Sequence, residues 1–173
     1  MSGKIAAAVI AALLAAVTII SSALFTGCFR ERAEFIVGKD IKISELTEFY
    51  YTYATSTDPS EYLRYRFYTE NGMYFVDYDK REGSHWPLTE SDRTDWGTVL
   101  LSEEQWNSLF SLLDSGTVTK RHESTESGDS GPWTYLYWTG DGSKYQEFTF
   151  APGALVRFEA FAETVCEVSD GGI

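Results

Sequence analysis

The strongest constraint on this chain is an uncharged, mainly apolar segment at residues 5–25, which begins after Lys4 and ends shortly before Cys28. No charged residue lies between Lys4 and Arg30. A basic start, an apolar middle and small residues at the end follow the order of a secretory signal peptide. About 20 apolar residues are also enough to span a bilayer. The segment therefore predicts either a signal peptide over residues 1–27 or an uncleaved transmembrane anchor.

The sequence Phe25-Thr26-Gly27-Cys28 resembles the lipobox of bacterial lipoproteins. In that family a small residue precedes a cysteine that is lipidated and becomes the new amino terminus, and the position of Phe25 usually holds Leu. The resemblance implies that Cys28 is the lipidation site. It also implies a protein anchored by lipid on the extracytoplasmic face of a bacterial cell membrane. The body of the chain resembles uncharacterised bacterial lipoproteins.

Length and charge limit what the remaining residues can form. Of the 173 residues, 146 remain without the first 27, which is enough for one domain with its own core. We predict a short tether at residues 28–39 and a single α+β domain at residues 40–173. The tether has no Gly/Ser-rich spacer, so the domain is expected close to the membrane.

The mature chain is strongly acidic, with 13 basic and 26 acidic residues and a net charge of −13. Such a surface repels phosphates, so nucleic acid is not an expected partner. If Cys28 is lipidated, Cys166 has no second cysteine with which to form a disulfide. No zinc spacing or phosphate-binding loop occurs, so we expect no metal or cofactor, and we expect a monomer.

Period-two alternation and turn signals predict several antiparallel strands. The predicted strands are residues 35–37, 47–55, 62–69, 73–78, 98–101, 117–122, 133–139 and 144–150. Tight hairpins are predicted at Asn71-Gly72 and at Gly140-Asp141-Gly142. Residues 80–97 are predicted to be a long irregular loop.

Two helices are predicted. Ser102 and Gln105 have the spacing of a capping box at the start of the first helix, and Gly116 is predicted to end it in the left-handed conformation. Pro152 suits the first turn of the second helix. The apolar stripe of that helix comprises Leu155, Phe158, Phe161, Ala162, Val165 and Cys166.

The two hairpins align at an offset of 70 residues, because residues 65–72 and 135–142 share Tyr, Thr and Gly positions. This alignment is consistent with a ββ(β)α duplication. The predicted fold is α+β, with an antiparallel sheet of two three-strand meanders, each followed by a helix, and with the helices packed on one face.

The candidate binding residues are Tyr62, Arg64, Arg66, Tyr68, Trp86 and Trp96. The first four share one face of a predicted strand, opposite its apolar residues. Guanidinium groups between phenol rings can stack on sugars or bind an acidic peptide. Alternatively, the rings form a ladder with neighbouring strands while the arginines neutralise carboxylates. The two tryptophans are interpreted as a lid over the core or as a ligand platform.

A small extracytoplasmic hydrolase is the alternative function, with His85 and either Asp77 or Asp79 as the acid and base. It requires these side chains to converge in a concave pocket. Residues 128–132 resemble the nucleophile segment of chymotrypsin-like proteases, but one glycine is missing and the chain is too short for that fold. A third possibility is a module that acts like a protease inhibitor, which would require a protruding rigid loop such as residues 123–132. The leading interpretation is a membrane-tethered module that binds a surface protein or glycan.

The lipidation prediction can be tested with the two cysteines of the chain. Replacing Cys28 by Ala should abolish incorporation of a labelled fatty acid in cells, because the acceptor thiol is lost. Cys166→Ala is the matched control and should leave labelling unchanged. Equal labelling of the Cys28→Ala variant and the parent chain would contradict a lipid anchor at this position.

Overall fold

The computed structural model describes residues 34–119, 131–140 and 146–167. The strands are β1 (Glu34–Ile36), β2 (Leu46–Thr55), β3 (Ser60–Glu70), β4 (Met73–Gly83), β5 (Arg93–Leu101), β6 (Thr117–Thr119), β7 (Trp133–Trp138) and β8 (Gln146–Thr149). The α-helices are α1 (Glu103–Leu113) and α2 (Ala154–Glu167). Short 3-10 helices at Ile43–Glu45 and Glu90–Asp92 precede β2 and β5.

The eight described strands form one antiparallel sheet in the order β1, β6, β8, β7, β2, β3, β4, β5. At the centre, Phe49 of β2 lies opposite Leu136 of β7 on one side and Phe67 of β3 on the other. The predicted fold of two three-strand meanders, each followed by a helix on one face as in a ββ(β)α duplication, is therefore wrong, because all eight described strands share one sheet. Strands β2 and β7 pair, which leaves neither of them as an edge with unpaired backbone groups. β1 lies within the range 28–39, which was predicted to be a tether.

Half of the predicted loop at residues 80–97 is sheet, because β4 continues to Gly83 and β5 begins at Arg93. Charged residues interrupt the apolar alternation here, which is why the sequence pattern indicated a loop. In the structure, Asp79 of β4 binds Arg81 and Arg93. This pairing allows the two strands to extend beyond their apolar section.

The local signals at the first hairpin and at the start of α1 are confirmed. Asn71 and Gly72 have φ angles of 52° and 77°, as a type I′ turn requires. The Gln105 amide donates to Ser102 Oγ at 3.1 Å, and the Ser102 amide donates to Gln105 Oε1 at 2.8 Å. Both features depend on residues within a few positions of each other, so the sequence alone predicts them.

The predicted end of α1 is wrong. The left-handed residue after the helix is Ser115, with φ of 61°, and not Gly116. Gly116 is needed for a different reason, because a Cβ atom at this position would lie 2.4 Å from the ring of Phe148. The missing side chain makes room for the core aromatic ring of β8.

The centre of the core is Phe158 of α2, which is fully buried. Its ring centroid lies 5.2 Å from that of Phe49 and 5.3 Å from that of Tyr51, both in β2. Trp106 of α1 stacks on Tyr74 of β4 at 4.9 Å. The two helices thus contribute large rings to the same apolar cluster as the central strands.

Several predicted features lie outside the described residues. They are the apolar segment 5–25, Cys28, residues 120–122 of the strand predicted at 117–122, residues 123–130 of the polar loop and most of the Gly140-Asp141-Gly142 turn. Within the described ranges, neither helix has the length and hydropathy needed to cross a membrane.

Truncating the central aromatic ring of α2 should destabilise the domain. For Phe158→Ala we expect a loss of roughly 3–5 kcal/mol in the free energy of unfolding, measured with urea on the chain from residue 29 onward. Val156→Ala, on the same helix at 70% exposure, is the control and should change stability by less than about 0.5 kcal/mol. A small effect of Phe158→Ala would show that the helix is not packed as described.

Candidate binding face

One side of the central strands points away from the apolar core, and we call it the open face. Successive residues of a strand point to opposite sides of the sheet, so the open face follows from the strand register. Its residues are Glu48, Tyr50, Thr52, Tyr62, Arg64, Arg66, Tyr68, Phe75, Asp77, Asp79, Arg81, Arg93, Trp96, Thr98, Leu100, Trp133, Tyr135 and Tyr137. Most are half-buried or exposed, whereas Tyr65 and Phe67 on the other side of β3 are buried.

Cross-strand register arranges these side chains in three rows. The first row is Trp133, Thr52, Arg64, Asp79 and Trp96. The second is Tyr135, Tyr50, Arg66, Asp77 and Thr98. The third is Tyr137, Glu48, Tyr68, Phe75 and Leu100. Directly opposite residues in a sheet are close enough to interact, so the face is a lattice of rings, guanidinium groups and carboxylates.

Arg66 is held by carboxylates on both neighbouring strands. Its Nη2 atom lies 2.9 Å from Glu48 Oε1, and its Nη1 atom lies 3.6 Å from Asp77 Oδ2. The guanidinium carbon lies 4.4 Å from the ring centroid of Tyr68, which stacks on Phe75 at 5.4 Å. The hydrogen bond to Glu48 raises the pKa of Arg66 above its ordinary value. For Arg66, therefore, the contacts agree with the alternative in which the arginines neutralise carboxylates beside a ladder of rings.

Asp79 is the most buried charged group of the face, at 1% exposure. Its Oδ2 atom lies 2.6 Å from Arg81 Nη2 and 3.1 Å from Arg93 Nη2. The hydrogen bond from Arg81, with that from Arg93, lowers the pKa of Asp79 to about 2. A carboxylate held by two guanidinium groups is a weak base, so this cluster is suited to joining β4 and β5 and not to proton transfer.

Arg64 differs from the other arginines of the open face. It lies opposite Asp79 and Thr52 in register, yet it forms no ion pair with any residue in the described ranges. The residue is partly exposed, and its Nε atom is buried without a hydrogen-bond partner. The face thus contains a guanidinium group whose charge the described residues leave uncompensated.

The two tryptophans predicted as candidates are both exposed, Trp86 at 49% and Trp96 at 59%. Trp96 lies on the open face, and the guanidinium carbon of Arg93 lies 5.7 Å from its ring centroid. Trp86 lies in the connection between β4 and β5. Neither ring belongs to the apolar cluster, so the interpretation of these tryptophans as a lid over the core is wrong.

The residues of the hydrolase alternative do not converge. His85 is exposed, and its Nε2 atom lies 3.4 Å from Asp92 Oδ2. Asp77 binds Arg66 and accepts a hydrogen bond from the Thr98 hydroxyl at 2.7 Å. Among the described residues, no cluster of three or more His, Cys, Asp and Glu side chains could hold a metal ion.

A cleft of about 420 Å³ lies on the other side of the sheet, between the ends of the central strands and α2. In it, Tyr51 donates a hydrogen bond to Glu159 at 2.6 Å. Burial raises the pKa values of Tyr51 and Tyr65, which keeps both phenols protonated. Burial also raises the pKa of Cys166 to about 12, so its thiol is not a nucleophile near neutral pH. None of His85, Asp77 and Asp79 lines this cleft.

Sequence reasoning found one strand of the open face and Trp96 on β5, and missed most residues of the other strands. Residues on the adjacent strands that complete it include Tyr50, Phe75, Leu100, Trp133 and Tyr135. The same period-two rule assigns each of them to a face of its own strand. The rule does not say which strands are adjacent, so the extent of the face could not be predicted.

Comparisons of the chain with protein-family models, with curated proteins and with solved structures give no match.

The Asp79 cluster leads to a prediction about pH. The pKa of Asp79 falls from 3.8 to about 2 on folding, so its stabilisation is complete above about pH 4 and is lost as the pH falls towards 2. At pH 7, Asp79→Asn should unfold more easily by roughly 2–4 kcal/mol. That difference from the parent chain should shrink by about 2 kcal/mol between pH 4 and pH 2.

Urea unfolding of both chains across this pH range measures the difference. Asp58→Asn is the control, because this carboxylate lies in an exposed turn and should have little effect at any pH. A constant difference between the Asp79→Asn variant and the parent chain at every pH would contradict the lowered pKa of Asp79.

Proposed function

We propose that this protein is a binding module anchored by lipid to the extracytoplasmic face of a bacterial membrane, and that its open face binds a surface protein or glycan. The observation that carries the proposal is the open face itself. Aromatic rings, arginines and carboxylates cover five adjacent strands on the side away from the core.

The composition of the open face supports binding. Tyr, Trp and Arg are the residue types most enriched at the energetic centres of interfaces. Rings that stay half-buried keep their flat surfaces in fixed positions, so little conformational entropy is lost when a ligand stacks on them. Trp96 and Leu100 add exposed apolar surface at the β5 side of the face, at 59% and 61% exposure.

The salt bridges of the open face also support binding, because they hold its charged side chains in fixed positions. Arg66 is positioned by Glu48 and Asp77, and Arg81 and Arg93 are positioned by Asp79. Groups that are already held in place give a ligand defined hydrogen-bonding positions. Such a surface suits recognition more than catalysis, because Glu48, Asp77 and Asp79 are all engaged by arginines.

The location proposal depends on the lipobox-like residues that end at Cys28. A lipid anchor formed by two acyl chains gives stable membrane attachment. The tether expected after Cys28 is short, so the ligand should be present near the membrane surface. The hydrolase alternative has no support from the geometry of His85, Asp77 and Asp79.

Photo-cross-linking in intact cells tests the proposed face. A photoreactive phenylalanine analogue at Trp96 or Leu100 should give covalent adducts with the ligand, because both positions are exposed on the open face. The same analogue at Val156 is the matched control, since this apolar residue is 70% exposed on α2. Adducts that form equally at Val156, or that are missing at both open-face positions, would contradict the proposal.

A further inference from the structure

We propose that Arg64 is the anchor for a carboxylate group and that the ligand of the open face is a carboxylated glycan. The inference rests on the proposed function and specifies its ligand class. It depends on three observations, namely the charge pairing of the open face, the position of Arg64 between two tryptophans and the carboxylates that surround it.

Charge pairing distinguishes Arg64 from the other three arginines of the face. Arg66 pairs with Glu48 and Asp77, while Arg81 and Arg93 share Asp79. Within the described ranges, Arg64 has no carboxylate partner, although it lies directly opposite Asp79 in the sheet. Asp79 is already bound by two guanidinium groups, so the described residues leave no carboxylate to pair with Arg64.

Arg64 is also partly exposed on the open face. Its Nε atom is buried without a hydrogen-bond partner, and neither of its Nη atoms is both buried and unpaired. A guanidinium group binds carboxylates strongly because charge and planar geometry both match. A ligand carboxylate would compensate a charge that the described part of the fold leaves unpaired.

Arg64 lies at the centre of the first row of the open face, with Trp133 at one end and Trp96 at the other. Adjacent strands lie about 4.8 Å apart, so the backbone positions of the two tryptophans are roughly 19 Å apart across five strands. Thr52 lies between Arg64 and Trp133 and adds a hydroxyl group. A row with rings at both ends and a cation at its centre matches an extended ligand with flat rings and an anionic group.

The carboxylates of the face favour a glycan over an acidic peptide. Glu48 and Asp77 each retain 26% side-chain exposure, and Glu147 on the neighbouring strand β8 is exposed. These oxygens can accept hydrogen bonds from sugar hydroxyl groups. The same oxygens repel a peptide that carries an acid at every position. A glycan with occasional carboxylates matches both Arg64, the arginine of the open face that is unpaired among the described residues, and the surrounding acceptors.

The experiment uses the full chain in detergent and a glycan panel. Each uronic-acid or sialic-acid oligosaccharide on the panel is paired with its methyl ester, and a heptaglutamate peptide represents the acidic peptides. The parent chain should bind one or more of the carboxylated glycans, and its affinity for the matching ester should be lower by a factor of about ten or more. The Arg64→Gln variant should lose affinity for the acid by about the same factor. It should bind the acid and its ester equally well.

Two further variants separate binding from folding. Arg64→Lys keeps the charge but cannot form the bidentate contact, so it should bind with intermediate affinity. Arg157→Gln makes the same charge change at an exposed position on α2 and should bind like the parent chain. Arg64→Gln should keep the thermal midpoint of the parent chain, because Arg64 has no ion pair to lose among the described residues.

Several outcomes would overturn the inference. These are equal binding of acid and ester, unchanged binding by Arg64→Gln, no carboxylated glycan bound by the parent chain, and Arg64-dependent binding of heptaglutamate alone. If cross-linking at Trp96 or Leu100 captures a ligand while no carboxylated glycan binds, the glycan inference fails and the proposed function stands. If those positions capture nothing, the proposed function itself fails.

Discussion

The pairing of β2 with β7 is the interaction on which the rest of the structure depends. It places Phe49 between Leu136 and Phe67 and joins the early and late strands into one sheet. Without it, β2 and β7 would each present an unpaired edge. With it, Phe158 of α2 can contact rings from several strands at once, and the sheet acquires one continuous open face on its other side.

The two faces of the sheet are stabilised by different kinds of interaction. The core side is held by packing of aromatic rings, with Phe158, Phe49 and Phe148 fully or almost fully buried. The open face is held by pairs of opposite charge, of which the buried Asp79 cluster is the strongest. Leaving Asp79 without its arginines would cost several kcal/mol, because an unpaired buried charge is poorly solvated. Asp79, Arg81 and Arg93 therefore belong to the sheet and not to a loop.

Local features were predictable because their causes lie within a few residues. The Asn71-Gly72 turn and the capping box of Ser102 and Gln105 are of this kind. Features that depend on distant residues were not predictable. Gly116 makes room for Phe148, which is 32 positions away, and sequence spacing gives no sign of that contact. The extension of β4 and β5 depends in the same way on an ion pair between Asp79 and Arg93.

For the candidate site, the sequence by itself determined which side chains share a face of β3. Alternation with period two is a property of any strand, so Tyr62, Arg64, Arg66 and Tyr68 had to project together. Only the tertiary structure decided what lies beside them. Strand order and register placed Glu48 and Asp77 against Arg66, and Arg93 against Asp79. Arg64 was left without a carboxylate among the described residues, since the opposite Asp79 is bound by Arg81 and Arg93. The sequence does not show this, because ion pairs form through space, between strands whose adjacency the sequence does not state.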